Sequence, residues 1–190
     1  AMGCVVVADG ASPFDSRHAT LLDPRQVTLE LVEDASLDGD ATQMHHLRIT
    51  VENLDDSLAF YEMLGFDVAQ RDDLADGGFL GSPDEVDGEF ARLRLPDEPF
   101  ELRLIEWRSP AGRGRHYAEP NHAGLFRAAV GVDDTRASYE RLTAAGVTFD
   151  LPPMEVELSG TPVPDMWITF VSDPNGIPYE FVQRPRSAFR

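Results

Sequence analysis

His46, Glu101 and Glu180 are side chains whose types, on the strands their surroundings imply, could hold a divalent cation. In "MHHLRITV", residues 44–51, a strand turns His46, Arg48 and Thr50 to one face and His45, Leu47, Ile49 and Val51 to the other. The apolar set belongs against a core, so His46 is expected to face something polar. Glu101 lies in the alternating stretch "FELRLIEW" and Glu180 in "PYEFVQ". An imidazole and two carboxylates on separate rigid strands suit Fe(II), Mn, Ni or Zn, with positions left open for a substrate. Arginines are expected on the same concave surface: Arg48 two residues after His46, Arg103 two after Glu101, and Arg127. They admit two other chemistries, neutralisation of the glutamates in bidentate ion pairs or a clamp for a substrate carboxylate or phosphate. For His46 the plain alternative is a strand-edge imidazole bonded to a backbone carbonyl.

The charge narrows the partners. The 190 residues include 34 acidic and 16 basic side chains, a net charge of −18. Such a chain repels phosphate backbones and anionic lipid surfaces, so a small-molecule substrate is expected, with no nucleic acid and no membrane. Every basic residue is Arg and none is Lys. A P-loop lysine, a Schiff-base lysine and a lysine general base are thereby excluded. The lone cysteine, Cys4, forms no intrachain disulfide, and its apolar neighbours at residues 5–7 predict a buried structural thiol in a cytoplasmic protein. No apolar run approaches a membrane span, and the amino terminus lacks a signal layout. Ala1 ahead of Met2 reads as a vector residue, with the native start at Met2 or further upstream.

The elements that must position these residues occur twice. After "HHLRITV", the segment "ENLDDSLAFYEMLGF" predicts a helix capped by Asn53 and ended by Gly65, with Leu54, Leu58, Tyr61 and Met63 or Leu64 at helical spacing. "FDVAQRD", "EFARLRLPD" and "FELRLIEW" then predict three strands, broken by a Gly- and Asp-rich loop at residues 77–88. "FRAAVGV", "DDTRASYERLTAAG", "VTFDL", "MWITFVSD" and "PYEFVQ" repeat the order strand, helix, three strands. Val51 and Gly65 are 14 residues apart, as are Val132 and Gly146, an offset of 81 between the units. A partial third copy lies at the amino end. "ATLLDPRQVTLELVE" aligns at an offset of 150 with "TFVSDPNGIPYEFVQ", which matches Asp23-Pro24 to Asp173-Pro174 and Glu30 to Glu180. The expected organisation is a partial module and linker at 1–43, a first βαβββ module at 44–108, a linker at 109–123, and a second βαβββ module and tail at 124–190. The linker around His116 and Tyr117 reads as a plain connector, with an ordered crossover or mobile lid as the alternative, and Trp107 and Trp167 read as core.

Segments "HLRITVENLDDSLAFYEMLGF", "FELRLIE", "FRAAVGVDDTRASYERLTAAGVTF" and "FVSDPNGIPYEFVQ" together resemble the vicinal oxygen chelate superfamily of glyoxalase I, bleomycin and fosfomycin resistance proteins, extradiol dioxygenases and methylmalonyl-CoA epimerase. The resemblance covers residues 44–184. It implies an α+β fold in which two βαβββ modules form a cupped mixed sheet around a cavity, here preceded by a partial module. Metal-using members take their ligands from the first and last strands of both modules, which carries over to His46, Glu101, Arg127 and Glu180. Arg127 departs from that pattern, because a guanidinium has no lone pair to give. The resemblance then implies a metal-assisted lyase, isomerase or dioxygenase. His46, Glu101 and Glu180 would hold the cation, Glu180 would move the proton, and Arg48, Arg103 and Arg127 would bind the substrate. The alternative is a metal-free protein that sequesters a drug or metabolite. The partial module either docks on the outer rim of the 44–184 cup or, the arrangement expected here, completes a second cup against another subunit, with Glu30 facing it, which makes the chain a homodimer.

Overall fold

Asp23 and Asp173 begin turns that are superimposable bond by bond. In each, the first carboxylate oxygen accepts the amides of the residues two and four positions on, Arg25 and Val27 at 2.8 Å in one, Asn175 at 2.9 Å and Ile177 at 2.8 Å in the other. Gln26 adopts φ +68° where its counterpart Gly176 adopts +82°. In the computed structural model this turn joins β2 (His18–Leu22) to β3 (Thr28–Val32), and β1 (Val5–Gly10) completes a three-stranded antiparallel sheet of order β1-β2-β3. The partial third copy therefore has the backbone of the last three strands of a module. The structure describes residues 3–14, 17–38, 42–82, 85–96, 98–114, 116–117, 119–122, 125–157, 159 and 166–183. Ala1, Met2 and the tail beyond Gln183 lie outside them, as do parts of the 77–88 loop and of the 109–123 linker.

Both βαβββ modules are present. The first comprises β4 (His46–Val51), α1 (Leu54–Met63), β5 (Asp67–Leu74), β6 (Asp87–Arg94) and β7 (Glu101–Ser109), in the sheet order β4-β7-β6-β5. The second comprises β8 (Ala128–Val132), α2 (Thr135–Ala144), β9 (Phe149–Val156), β10 (Met166–Ser172) and β11 (Pro178–Gln183), in the equivalent order β8-β11-β10-β9. First and last strands pair in parallel and the others antiparallel. Asn53 accepts the Asp56 amide at 2.9 Å to cap α1, and Asp134 accepts the Ala137 amide at 3.0 Å to cap α2. Gly65 and Gly146 end the helices with φ of +99° and +97°, a conformation that a Cβ would strain.

The chain divides into two compact units. One holds Ala1–Leu58 and Gly65–Arg113, the other Ala59–Leu64 and Gly114–Arg190, so the boundary crosses α1. In the first unit the partial module packs on the first full module of the same chain. The carbonyl of Phe79, in the 3-10 turn Gly78–Leu80, accepts from Thr20 Oγ1 at 2.8 Å and lies 2.9 Å from His18 Nε2. Phe14 sits edge-on against Phe79 and Phe90, and these three with Leu74 and Ile105 form a buried cluster that Trp107 borders. This corrects the expectation of a cup completed by another subunit: the inner face of β1–β3 is covered within the chain. A second correction concerns Cys4, which is exposed, because Val5 and Val6 beside it are exposed as well.

In the second unit, Asp173 also ties the last turn of α1 to β11. Tyr61 donates its hydroxyl to Asp173 Oδ2 at 2.9 Å, and the Tyr179 hydroxyl lies 2.9 Å from that of Tyr61. Because the Tyr61 proton is committed to the carboxylate, Tyr179 is the donor of the second bond. Burial above all raises both phenols above their ordinary pKa; Tyr179 and Asp173 raise Tyr61 further, whereas for Tyr179 the bond with Tyr61 works against burial and the Asp173 charge works with it.

Candidate functional site

Cross-strand register places the candidate residues in two rows on one face of the first module's sheet. His46 on β4 is opposite Glu101 on β7, which is opposite Arg94 on β6; one step along, Arg48, Arg103 and Arg92 stand side by side. The same face continues through Ile105 and Phe90 into the buried apolar cluster. This module thus carries a polar end and an apolar end on one surface, and strand alternation alone separates the polar row from the Leu47, Ile49, Leu102 and Leu104 row behind it.

Glu101 is buried and engaged on both oxygens. Oε2 accepts from Arg103 Nε at 3.0 Å and Nη2 at 2.9 Å, while Oε1 accepts from Arg94 Nε at 2.8 Å and also from Arg94 Nη2. Arg92 Nη2 approaches the same Oε1 at 3.4 Å. Burial acts to raise the Glu101 pKa, but the bonds from Arg94 and Arg103 and the charges of Arg103 and Arg92 outweigh it and hold the carboxyl below its usual range. The Arg103 guanidinium is further sandwiched by the Phe14 ring, 4.8 Å from its centroid.

Arg48 is met by a carboxylate from the partial module. Glu30 on β3 takes Arg48 Nη1 at 2.9 Å on one oxygen and Arg48 Nη2 on the other. His46 Nε2 lies 3.3 Å from Glu30 Oε2, and His46 Nδ1 lies 3.1 Å from His45 Nδ1. The imidazole therefore faces a polar partner, as its strand parity predicts, and that partner is a side chain.

In the second unit, Arg127 Nη2 reaches Glu180 Oε2 at 3.0 Å, with the guanidinium over the Phe170 ring at 5.3 Å. Ala129 is the residue opposite Glu180 in the β8–β11 register, where His46 stands opposite Glu101 in the first module. Arg127 reaches the carboxylate from two residues earlier. Neither Ala129 nor Arg127 offers a lone pair to a metal.

This donor set does not fit a resident metal ion. Each of the three expected ligands is held by another side chain, and Glu101 has both oxygens inside guanidinium bonds. Among the described residues no group of three or more His, Cys, Asp or Glu side chains is placed to hold a metal. The sequence reading missed Arg92 and Arg94, although "ARLR" sets both on one face of a strand. It also missed the Tyr61–Asp173–Tyr179 chain.

The profile of the Glyoxalase/Bleomycin resistance protein/Dioxygenase superfamily matches residues 43–181, and the chain belongs to this superfamily. No curated protein sequence matches. Among solved structures, a glyoxalase family protein from Bacillus cereus is similar with a TM-score of 0.63 at 22% identity, over 78% of this chain and 97% of that one. A glyoxylase/bleomycin resistance protein/dioxygenase domain from Frankia sp. gives a TM-score of 0.55 at 22% identity, over 77% of this chain and 100% of that one. A glyoxalase I variant from Zea mays gives 0.56 at 21% identity, over 75% of this chain but only 44% of the maize chain. These likenesses show the fold of two βαβββ modules.

Proposed function

We propose that this chain binds a small molecule without a resident metal ion and acts by sequestering a drug or metabolite. The observation that carries the reading is Glu101, whose two oxygens are occupied by Arg94 and Arg103 while Arg92 stands beside them. A cation at this carboxylate would have to displace guanidiniums from a buried site, at the cost of leaving those charges uncompensated. Elemental analysis of the purified chain, together with melting in the presence and absence of chelator and of added Fe(II), Mn, Ni or Zn, tests it. The expected result is no stoichiometric metal and an unchanged Tm. A stoichiometric metal whose removal lowers Tm would overturn the proposal, since a ligand bound only by the folded state stabilises it by mass action.

One observation favours the second reading, a metal-assisted lyase, isomerase or dioxygenase with Glu180 as proton shuttle: His46 and Glu101 are register partners on rigid strands. It requires Arg94 and Arg103 to release Glu101, and the same metal analysis separates the two.

A homodimer is also part of the proposal, on a different surface from the one first expected. The outer face of β1–β3 carries Val6, Leu29 and Leu31, the last 61% exposed. A second copy offers the same apolar face, which suits an isologous pairing. Light scattering should give a dimer for the full chain and a monomer for Leu31→Asp. A monomeric full chain would remove the dimer from the proposal.

A further inference from the structure

The transverse row Arg48, Arg103, Arg92 sets three permanent cations side by side on adjacent strands, and two of the three have carboxylates of their own. Arg48 is held bidentately by Glu30, and Arg103 holds Glu101 Oε2 through two nitrogens. Among the described residues Arg92 has only the far side of Glu101 Oε1, at 3.4 Å, an oxygen that Arg94 already occupies at 2.8 Å. Its Nε is buried and has no hydrogen-bond partner among the described residues. Buried donors of this kind are rare, and those on a guanidinium are the costliest to leave unmade.

Among the described residues Arg92 makes no second ion pair. Its β5 register partner is Gln70, whose amide nitrogen donates to Asp72 at 2.8 Å. Asp67, the β5 partner of Arg94, makes no ion pair with it. Arg94 is 51% exposed and Arg92 21%, so the β6 side of the two rows opens to solvent, whereas Arg103 in the middle of its row is sealed. Two guanidiniums converging on one oxygen, one of them with an idle buried N–H, have the donors that an oxyanion accepts. We infer that Arg92 and Arg94 receive the oxyanion group, carboxylate or phosphate, of a small ligand. The site rests on the metal-free reading to this extent: Glu101 stays an ion-pair partner and fixes the two guanidiniums from behind. It also answers how so acidic a chain attracts an anionic ligand, because the attraction comes from a local excess of arginine on a face separated from the acidic exterior.

The test uses the full chain in chelator at constant ionic strength, with chloride exchanged stepwise for inorganic phosphate in one arm and for benzoate in the other. Calorimetric titration and melting are followed together. At least one arm is expected to show saturable 1:1 binding and a Tm rise of roughly a few degrees at a large excess of anion. The arm that binds identifies phosphate or carboxylate as the group. Arg92→Gln should weaken binding at least tenfold. Arg92→Lys, which keeps the charge but loses the planar fork, should weaken it less, and Arg71→Gln, on an arginine bonded to Asp55 and Glu89, should leave it unchanged. No saturable binding in either arm, or equal binding by Arg92→Gln and the parent, would overturn the inference even if metal analysis finds no metal. Anion binding that disappears in chelator and returns with added metal would instead overturn the metal-free reading together with it. Circular dichroism of each variant keeps misfolding distinct from lost binding, and the comparison of the two anions with chloride on the parent chain stands without any variant.

Discussion

Glu101 and Glu180 occupy matched places in the two modules, yet their ion pairs differ in burial and therefore in energy. Glu101 and Arg103 are almost wholly withdrawn from solvent, whereas Arg127 is 45% exposed and Glu180 13%. Removing one member of a buried pair leaves an uncompensated charge, so Glu101→Gln is expected to lose about 3–5 kcal/mol in denaturant unfolding. Arg127→Met should lose no more than about 1 kcal/mol, the usual value of a solvated pair. Equal losses for the two variants would show that burial is not what separates them. The pH dependence follows from the depressed Glu101 pKa. A carboxyl that ionises more readily when folded contributes stability above the ordinary carboxylate pKa of about 4.3, and that contribution is lost as pH falls through the lower folded value. The parent should therefore lose stability more steeply than Glu101→Gln below about pH 4, as measured by melting across pH 2 to 6.

At the scale of elements, what could be read from sequence was what is local. The caps Asn53 and Asp134, the glycines that end both helices and the alternation of the strands depend on a few neighbouring residues, and the elements formed where their patterns placed them, except that β9 runs on to Val156 and a 3-10 turn at Gly78–Leu80 lies in the 77–88 loop. The Asp-Pro turns were legible for the same reason, down to the partial third copy. Their shared geometry also makes a prediction, because the two turns differ at the one residue with positive φ. Gln26 carries a Cβ in a left-handed conformation that costs roughly 1–2 kcal/mol, partly offset by the greater chain entropy of glycine when unfolded. Gln26→Gly should therefore raise stability by about 0.5–1 kcal/mol, and Gly176→Gln should lower it by a similar amount or more. A Gln26→Gly variant that melts below the parent would show that the Gln26 side chain makes a contact outweighing the strain. The chain Tyr179–Tyr61–Asp173 was not legible, since it joins residues more than a hundred positions apart. Tyr61→Phe breaks both hydroxyl bonds and leaves Asp173 with its three bonds from the turn, so a loss of about 1–3 kcal/mol is expected in chemical unfolding.

For the molecule as a whole, the question that sequence left open was what covers the partial module, and the answer depends on non-local pairing. Periodicity shows that β1–β3 has two faces but not which one meets which neighbour, and the metal reading of His46 failed to anticipate Glu30 for the same reason. Glu30, His18, Thr20 and Phe14 were separately visible, whereas their meeting with Arg48, Phe79 and Phe90 was not. The packing makes β1–β3 part of the first unit's core. Gly81, at φ +72°, lies so close to Val7 that an added Cβ would come within 3.0 Å of the Val7 Cβ, and Phe14 closes the apolar end of the sheet. Deleting residues 1–38 would therefore uncover Leu74, Phe79, Phe90 and Ile105 together and leave Arg48 without Glu30. An apolar patch of that kind is an aggregation surface rather than a tolerable end. The truncated chain is expected to be insoluble, or to melt at least 10 °C below the parent, roughly what losing several kcal/mol means for a chain of this size. The milder variant Phe14→Ala, which removes only the ring packed on Phe79, Phe90 and Arg103, should cost about 3–5 kcal/mol. A truncated chain that stays soluble and keeps the parent's Tm would show that β1–β3 is an appendage and not part of the first unit's core.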